Sequence, residues 1–311
     1  MSASTASGIP RIDASIHSPP GRSSRVSQAA VVDPDDDFLG EHHVYEPHKA
    51  GLPRMGPYLR ETWRRREFAF EMSRASIRSS QNDTVLGVLW NVLNPLLLAA
   101  VYYLLVYILS GGGKISFPYL LAGLFVFYFV SGCMSGGAAS VISAGRIILN
   151  TAFPRVLLPL SAVRTAFWKF LPTMLVFFAA ALFSGIRFSW VTLLAIPMFG
   201  LIAVFSTGLA MLLATAQVYF RDTTSFLPYF TRIWLYTSPV LYTIDQIPQK
   251  FKAIEVFNPL YGLIGGWGEI LVGGTVPELR VWLLSLAWAV GTFLLGAFYF
   301  ISRERDFAVR L

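Results

Sequence analysis

Apolar and polar positions divide the chain into three zones. Residues 1–53 hold eight serines and six prolines with few large apolar side chains, too little burial to offset the entropy of ordering, and read as a disordered cytoplasmic tail. From 57 to 80 a helical period emerges: Leu59, Trp63, Phe70 and Ile77 are spaced four, seven and seven and at about 100° per residue fall in one narrow stripe. Arg60, Arg64, Arg65, Arg74 and Arg78 lie largely off that stripe, whereas Arg66 must snorkel. The pattern predicts an amphipathic helix in the membrane surface, within a region spanning 54–83. Long apolar segments follow at 85–110, 117–143, 157–184, 190–219 and 280–302, with a shorter one at 226–242 broken near Pro228 and Pro239. Since about 20 residues at 1.5 Å each cross a 30 Å hydrocarbon core, the reading is an all-α integral membrane protein with six transmembrane helices over 84–311.

Before the last span, 257–272 is apolar but short and is punctuated by Pro259, Gly262, Gly265, Gly266 and Gly268. It reads as a re-entrant hairpin, a form that survives at membrane depth only when buried in protein or facing a water-filled cavity. Lys and Arg beside the segment ends set the orientation. One side collects the arginines from 54 to 78 and then Arg146, Arg155, Arg221, Arg303, Arg305 and Arg310, whereas the other has Lys114, Arg187, Lys250, Lys252 and Arg280. Both termini are therefore expected in the cytoplasm, with the chain multi-pass in the plasma (inner) membrane.

Composition agrees: 54% of residues are hydrophobic and 14% charged, against roughly 25% charged in a soluble domain. All four histidines (His17, His42, His43 and His48) lie in the tail, which excludes histidine catalysis or ligation in the apolar region and leaves no metal site expected there. The single cysteine, Cys133, allows no intrachain disulfide. The net charge of +7 comes from arginines that border apolar segments, so anionic membrane lipids, not nucleic acid, are the expected partner. No signal-peptide pattern opens the sequence.

Chemistry is sparse. The Gly111-Gly112-Gly113-Lys114 loop resembles a phosphate cradle but lacks the first glycine, Ile108 standing there, and Ile115 follows the lysine. ATP-driven work therefore requires another polypeptide, and no cofactor is expected on this chain. Asp35 to Asp37 offers the one acidic run a metal-dependent glycosyltransferase would need, in a tail with no strand around it. Intramembrane charges are the remaining candidates: Arg164, Lys169, Arg232 and Glu269, because a charge at mid-bilayer costs at least about 3 kcal/mol and usually faces a cavity. Snorkelling explains Arg164 and Arg232 equally well. Aromatic rings at Tyr102, Tyr103, Tyr107, Phe125 and Phe129 suit either interfacial packing or a surface on which sugar rings stack and slide. Between the second and third segments, 145–159 forms an elbow bracketed by Arg146 and Arg155 and limited by Pro154 and Pro159. It is the place where an external protein would push.

With those features in order, the sequence resembles the membrane subunits of ABC-2 type polysaccharide exporters, the O-antigen and teichoic acid exporter family, from about Arg60 onward. The resemblance is carried by Arg74-x-x-x-Arg78 and Thr84 to Pro95, including Trp90-Asn-Val-Leu-Asn-Pro95, and by Phe153-Pro154-Arg155 with Leu158-Pro159. Phe220-Arg221-Asp222, Ser238-Pro239-Val240-Leu241-Tyr242 and Asn258-Pro259-Leu260 complete it. Overall similarity points to permeases exporting lipid-linked galactan in mycobacterial-type envelopes. The tail before 54 lies outside the family pattern, and so does Glu269, where members often have arginine. The resemblance implies a homodimer with two copies of a separate ATPase that holds ATP and Mg. It implies coupling through Arg146, Ile147, Asn150, Phe153 and Arg155, and admission of a polyprenyl-diphosphate-linked polysaccharide beside Arg60, Arg64, Arg65, Arg66, Arg74 and Arg78. Tyr102, Tyr107, Phe125, Phe129 and Lys169 would line its channel. An exporter of another glycan or of a hydrophobic drug, a membrane glycosyltransferase and a scaffold for a biosynthetic complex stay open beside it.

Overall fold

The computed structural model describes residues 53–79, 87–109, 116–242 and 254–311. The tail with its acidic run, the Lys114 loop, the end of the 54–83 surface region and the lysines at 250 and 252 lie outside the described residues. The described residues are predominantly helical, with no strand among them, as expected where no water can satisfy the backbone of an open sheet. Five stretches are long and apolar enough to cross a membrane: Trp90–Ile108, Phe117–Ser143, Leu157–Phe183, Trp190–Tyr219 and Leu279–Arg310. They contain helices α3 (Trp90–Leu109), α4 (Phe117–Ser143), α6 (Leu157–Phe183), α7 (Ala195–Tyr219) and α11 (Leu279–Arg303).

The expected span at 226–242 is shorter than the others. It forms α8 (Thr223–Thr237), whose 15 residues cover about 22 Å at 1.5 Å each, less than the hydrocarbon thickness. Ser238 is extended, at φ −102° and ψ 152°, because Pro239 disfavours helix at the residue before it. The apolar segment read as a hairpin forms a short α9 (Ile254–Phe257) and then α10 (Pro259–Gly268), which runs on into a π-helical turn, Glu269–Gly273, that ends on left-handed Gly274 at φ 61°. Every residue from Leu260 to Gly268 is buried, the condition under which an interrupted helix is tolerated at membrane depth. One side chain fastens it: Asn258 accepts from Leu260 N at 3.1 Å and from Trp234 Nε1 at 3.0 Å, and donates to the Thr237 carbonyl at 2.9 Å. Asn258 thus caps α10 and ties it to the end of α8.

Helix α4 is central. Of its apolar window 78% is buried, against 6% for α3 at the periphery. It packs on α6 and α7, and α7 packs in turn on α11. Small residues permit these approaches, as in other membrane helix pairs. A Cβ on Gly208 would lie 2.5 Å from the Thr292 carbonyl oxygen, and one on Gly137 would lie 2.6 Å from Ala210 Cα.

The surface helix is two helices. α1 (Met55–Arg64) and α2 (Arg66–Ser79) meet at Arg65, where the backbone leaves helical geometry at φ −93° and ψ 16°. The Arg65 side chain bonds Glu61 and reaches the Ala152 carbonyl at 2.5 Å. α2 docks on α6 through buried Ala69 and through Ser73, whose hydroxyl accepts from Thr165 Oγ1 at 3.0 Å.

Candidate functional site

The elbow joins α5 (Gly145–Asn150) to α6 through a non-helical link that contains Pro154; Pro159, expected to limit helix, instead lies in the first turn of α6, where a missing backbone N–H costs nothing. The five residues assigned to coupling separate into two sets. Arg146, Ile147 and Asn150 are exposed on α5, joined by Leu149, an exposed apolar side chain that sequence reasoning passed over. Phe153 and Arg155 turn inward. The Phe153 ring lies 4.6 Å from that of Phe68 in α2. Arg155 donates to the Glu304 carbonyl just past α11, and Tyr58 Oη in α1 donates to Glu304 Oε2 at 2.7 Å. Glu304 is only 8% exposed. Burial and the Glu304 carboxylate push the Tyr58 phenol up, so it remains the donor, while burial works against the charge on Arg155 and Glu304 offsets it. Elbow, surface helix and the end of the last span therefore meet at one junction. Tyr58 and Glu304 carried no sequence signal, being 246 residues apart.

Beside α5 a cavity of about 540 Å³ is lined by Arg146, Leu149, Gln217, Arg221 and Arg310. Arg310 lies over the Tyr219 ring at 4.3 Å. Arginines from three separate segments thus gather at one end of the helix bundle. Such a basic, partly apolar surface suits an acidic partner.

All six arginines of the surface helices are exposed. Arg65 and Arg74 are held by Glu61 and Glu71 in pairs one turn apart, exposed pairs that contribute little stability. Arg66 lies over the Trp63 ring at 5.0 Å, and Trp63 is 71% exposed. The stripe of Leu59, Trp63 and Phe70 therefore presents apolar surface outward as well as toward α6.

Lys169 stands where two cavities join. The first, about 240 Å³, is lined by Asn91, Asn94, Phe125, Phe129, Phe170 and Lys169, with Trp90 at its rim. The second, about 410 Å³, shares Gly132, Ala166 and Lys169 and continues along Ser135, Ser140, Ser143, Ser161 and Thr165. Together they make a groove along α4 and α6 that is aromatic and amide-lined on one side of Lys169 and hydroxyl-lined on the other. Phe125 and Phe129 belong to it, but at 1% and 3% exposure they form its wall, packed in the cluster of Phe129, Phe170 and Phe199. Tyr102 and Tyr107 do not line either cavity: Tyr102 meets Tyr236 edge-on at 6.3 Å, and Tyr107 packs on Tyr103. Asn91 and Asn94 were missed although they lie three apart in the Trp90 to Pro95 motif, the one available signal.

Five long apolar helices, with a lysine-bearing groove, an exposed elbow helix and a basic end, mark a multi-pass membrane protein. The comparisons are specific. The ABC-2 type transporter family model matches residues 69–267, and the chain belongs to that family, among transporter membrane subunits and not enzymes. The chain is 31% identical over 217 residues to the O-antigen export system permease protein RfbA of Klebsiella pneumoniae, covering 68% of this chain and 82% of that one. A second Klebsiella pneumoniae protein of the same name is 30% identical over 218 residues, with the same coverage. The Myxococcus xanthus protein of that name is 27% identical over 256 residues, covering 80% of this chain and 97% of its own length.

Proposed function

We propose that this chain is the permease of an exporter that moves a lipid-diphosphate-linked polysaccharide, cell-wall galactan, from the cytoplasm across the plasma membrane. Two copies work with two copies of a separate ATPase, with α8 as the fifth of six crossings and both termini cytoplasmic. The observation that carries this reading is the groove at Lys169. Its hydroxyl and amide lining hydrogen-bonds sugar hydroxyls transiently, and Trp90, the exposed aromatic of the first cavity, gives sugar rings an apolar face. A lysine there places one cation where a passing diphosphate needs neutralising. Names of relatives that export O-antigen support a glycan cargo.

In this reading α5 receives the ATPase stroke through Arg146, Ile147, Leu149 and Asn150. Phe153 and Arg155 pass it to the surface helix and to Glu304. Exposed Arg60, Arg64 and Arg78 receive the diphosphate at the membrane surface, with Arg65, Arg66 and Arg74 beside them. The test is to deplete the protein in its native cell and analyse lipid-linked glycans for sugar composition and length. Completed galactose polymer accumulating on its lipid carrier supports the proposal. A different accumulated polymer changes the cargo, and loss of polymer synthesis refutes the transport reading.

A further inference from the structure

The face of α6 turned away from the groove borders a further cavity, one of whose arginines, Arg66, also lies beside the proposed diphosphate entry. About 660 Å³ lies between α1, α2 and α6, within the range of about 300–1,000 Å³ seen for small-ligand sites. Its walls are mainly hydrocarbon, including Trp63, Leu160, Phe167 and Trp168, and its two cations are Arg66 and Arg164. The Arg164 guanidinium carbon lies 3.5 Å from the Phe70 ring centroid, and its buried Nε has no hydrogen-bond partner. Arg66 lies over Trp63 and donates to the Trp63 carbonyl at 3.3 Å. Among the described residues neither arginine is in an ion pair, and Glu71, the acidic group near Arg164, already has its carboxylate on Arg74 at 2.8 Å.

A guanidinium with a ring over its face can still be met in its own plane, where its N–H groups point. A buried donor without an acceptor is unfavourable, and a phosphate matches the guanidinium fork. Arg164 lies seven residues into α6 from Leu157, about 10 Å along the axis at 1.5 Å per residue, toward the elbow end of the helix. We propose that this cavity binds one anionic phospholipid per protomer, its phosphate on Arg164 and Arg66 and an acyl chain along Leu160 and Phe167.

The geometry of α6 favours a bulk phospholipid over the polyprenyl carrier. Leu157, Leu160, Arg164 and Phe167 face this cavity, whereas Ser161, Ala162, Thr165 and Lys169 face the groove. At about 100° per residue the two sets are centred about 140° apart. A lipid seated on Arg164 has its head group on the wrong side of α6 to feed a polymer into the groove. The site stands independently of the cargo, since it requires only a lipid phosphate.

The test is native mass spectrometry of the purified full-length protein titrated with phosphatidylglycerol, phosphatidylcholine of the same chains, and decaprenyl phosphate. One phosphatidylglycerol per protomer is expected, bound at least tenfold more tightly than phosphatidylcholine. Arg164→Gln should weaken it at least tenfold, whereas Lys169→Gln should not. Leu160→Trp, which fills the cavity and keeps both charges, should expel the lipid and carries the test if Arg164→Gln does not fold. Equal binding of the two phospholipids, or full binding by the variants, overturns the proposal. Tighter binding of decaprenyl phosphate at the same site overturns the choice of occupant.

Discussion

The junction of Tyr58, Arg155 and Glu304 makes the sharpest energetic prediction. Tyr58→Phe removes one hydroxyl and leaves the ring, deleting a 2.7 Å bond to a carboxylate that is 8% exposed. A hydrogen bond to a charged group is worth about 1.5–3 kcal/mol, and half-burial of Tyr58 puts the expectation at the lower end, about 1.5 kcal/mol. Glu304→Gln should weaken the same bond, and because Tyr58 and Glu304 touch, the double variant should show a coupling of about 1 kcal/mol, within the range for contacting residues. The assay is reversible unfolding of the four purified proteins in mixed micelles with increasing SDS. Near-additivity, within about 0.5 kcal/mol, would refute the claim that the surface helix is tied to the last span through this bond. pH gives a second check. Because the phenol is raised in the folded protein, its contribution is fully present below the ordinary tyrosine value of about 10 and is lost as pH rises above it, toward the folded value. Tyr58→Phe should lack that alkaline loss.

Further expectations follow from packing and from the elbow. Gly208→Leu, placed against the Thr292 backbone, should separate α7 from α11 and sharply reduce the yield of folded protein, whereas Gly200→Leu, with open space around it, should not; size-exclusion chromatography of fluorescent fusions distinguishes them. Asn258→Ala removes the α10 cap and the links to Trp234 and Thr237. It should cost about 1–3 kcal/mol in the SDS assay, and a loss near zero would mean that α10 is held by burial alone. Leu149→Asp on exposed α5 should lower ATPase co-purification at least tenfold with little change in thermal stability. Arg155→Ala should instead lower stability by about 1.5 kcal/mol while leaving co-purification nearly intact.

Much of the architecture was legible from hydropathy because long apolar segments in a membrane must be helical. α4, α6 and α7 follow the expected segments within a few residues, apart from the 3₁₀ turn Trp190–Leu194 that opens the fourth. The interruption before the last span was legible only in part: Pro259 marks the start of α10, but Gly262, Gly265, Gly266 and Gly268 lie in regular buried helix, where their small size admits close neighbours such as Ser285 and Tyr119. The break at Arg65 was not legible, since both flanking segments keep one helical phase and the interruption is stabilised by the distant Ala152 carbonyl. Lys169 was recognisable as an intramembrane charge, but which aromatics accompany it depends on how α3, α4 and α6 are arranged around it. Phe125 and Phe129 fall in its wall and Tyr102 and Tyr107 do not. Likewise the elbow was visible in its prolines and arginines, yet the inward turn of Phe153 and Arg155 depends on Phe68 and Glu304, partners that no local pattern reveals.

The most direct measurement is transport in inverted vesicles holding this chain and its ATPase, supplied with radiolabelled polyprenyl-diphosphate-linked galactan. The account predicts ATP-dependent movement of the glycan into the lumen, where it is protected from an external galactanase, and at least tenfold slower movement with Lys169→Ala. Protection without ATP, or protection undiminished by Lys169→Ala, would contradict the groove as the path of the polymer.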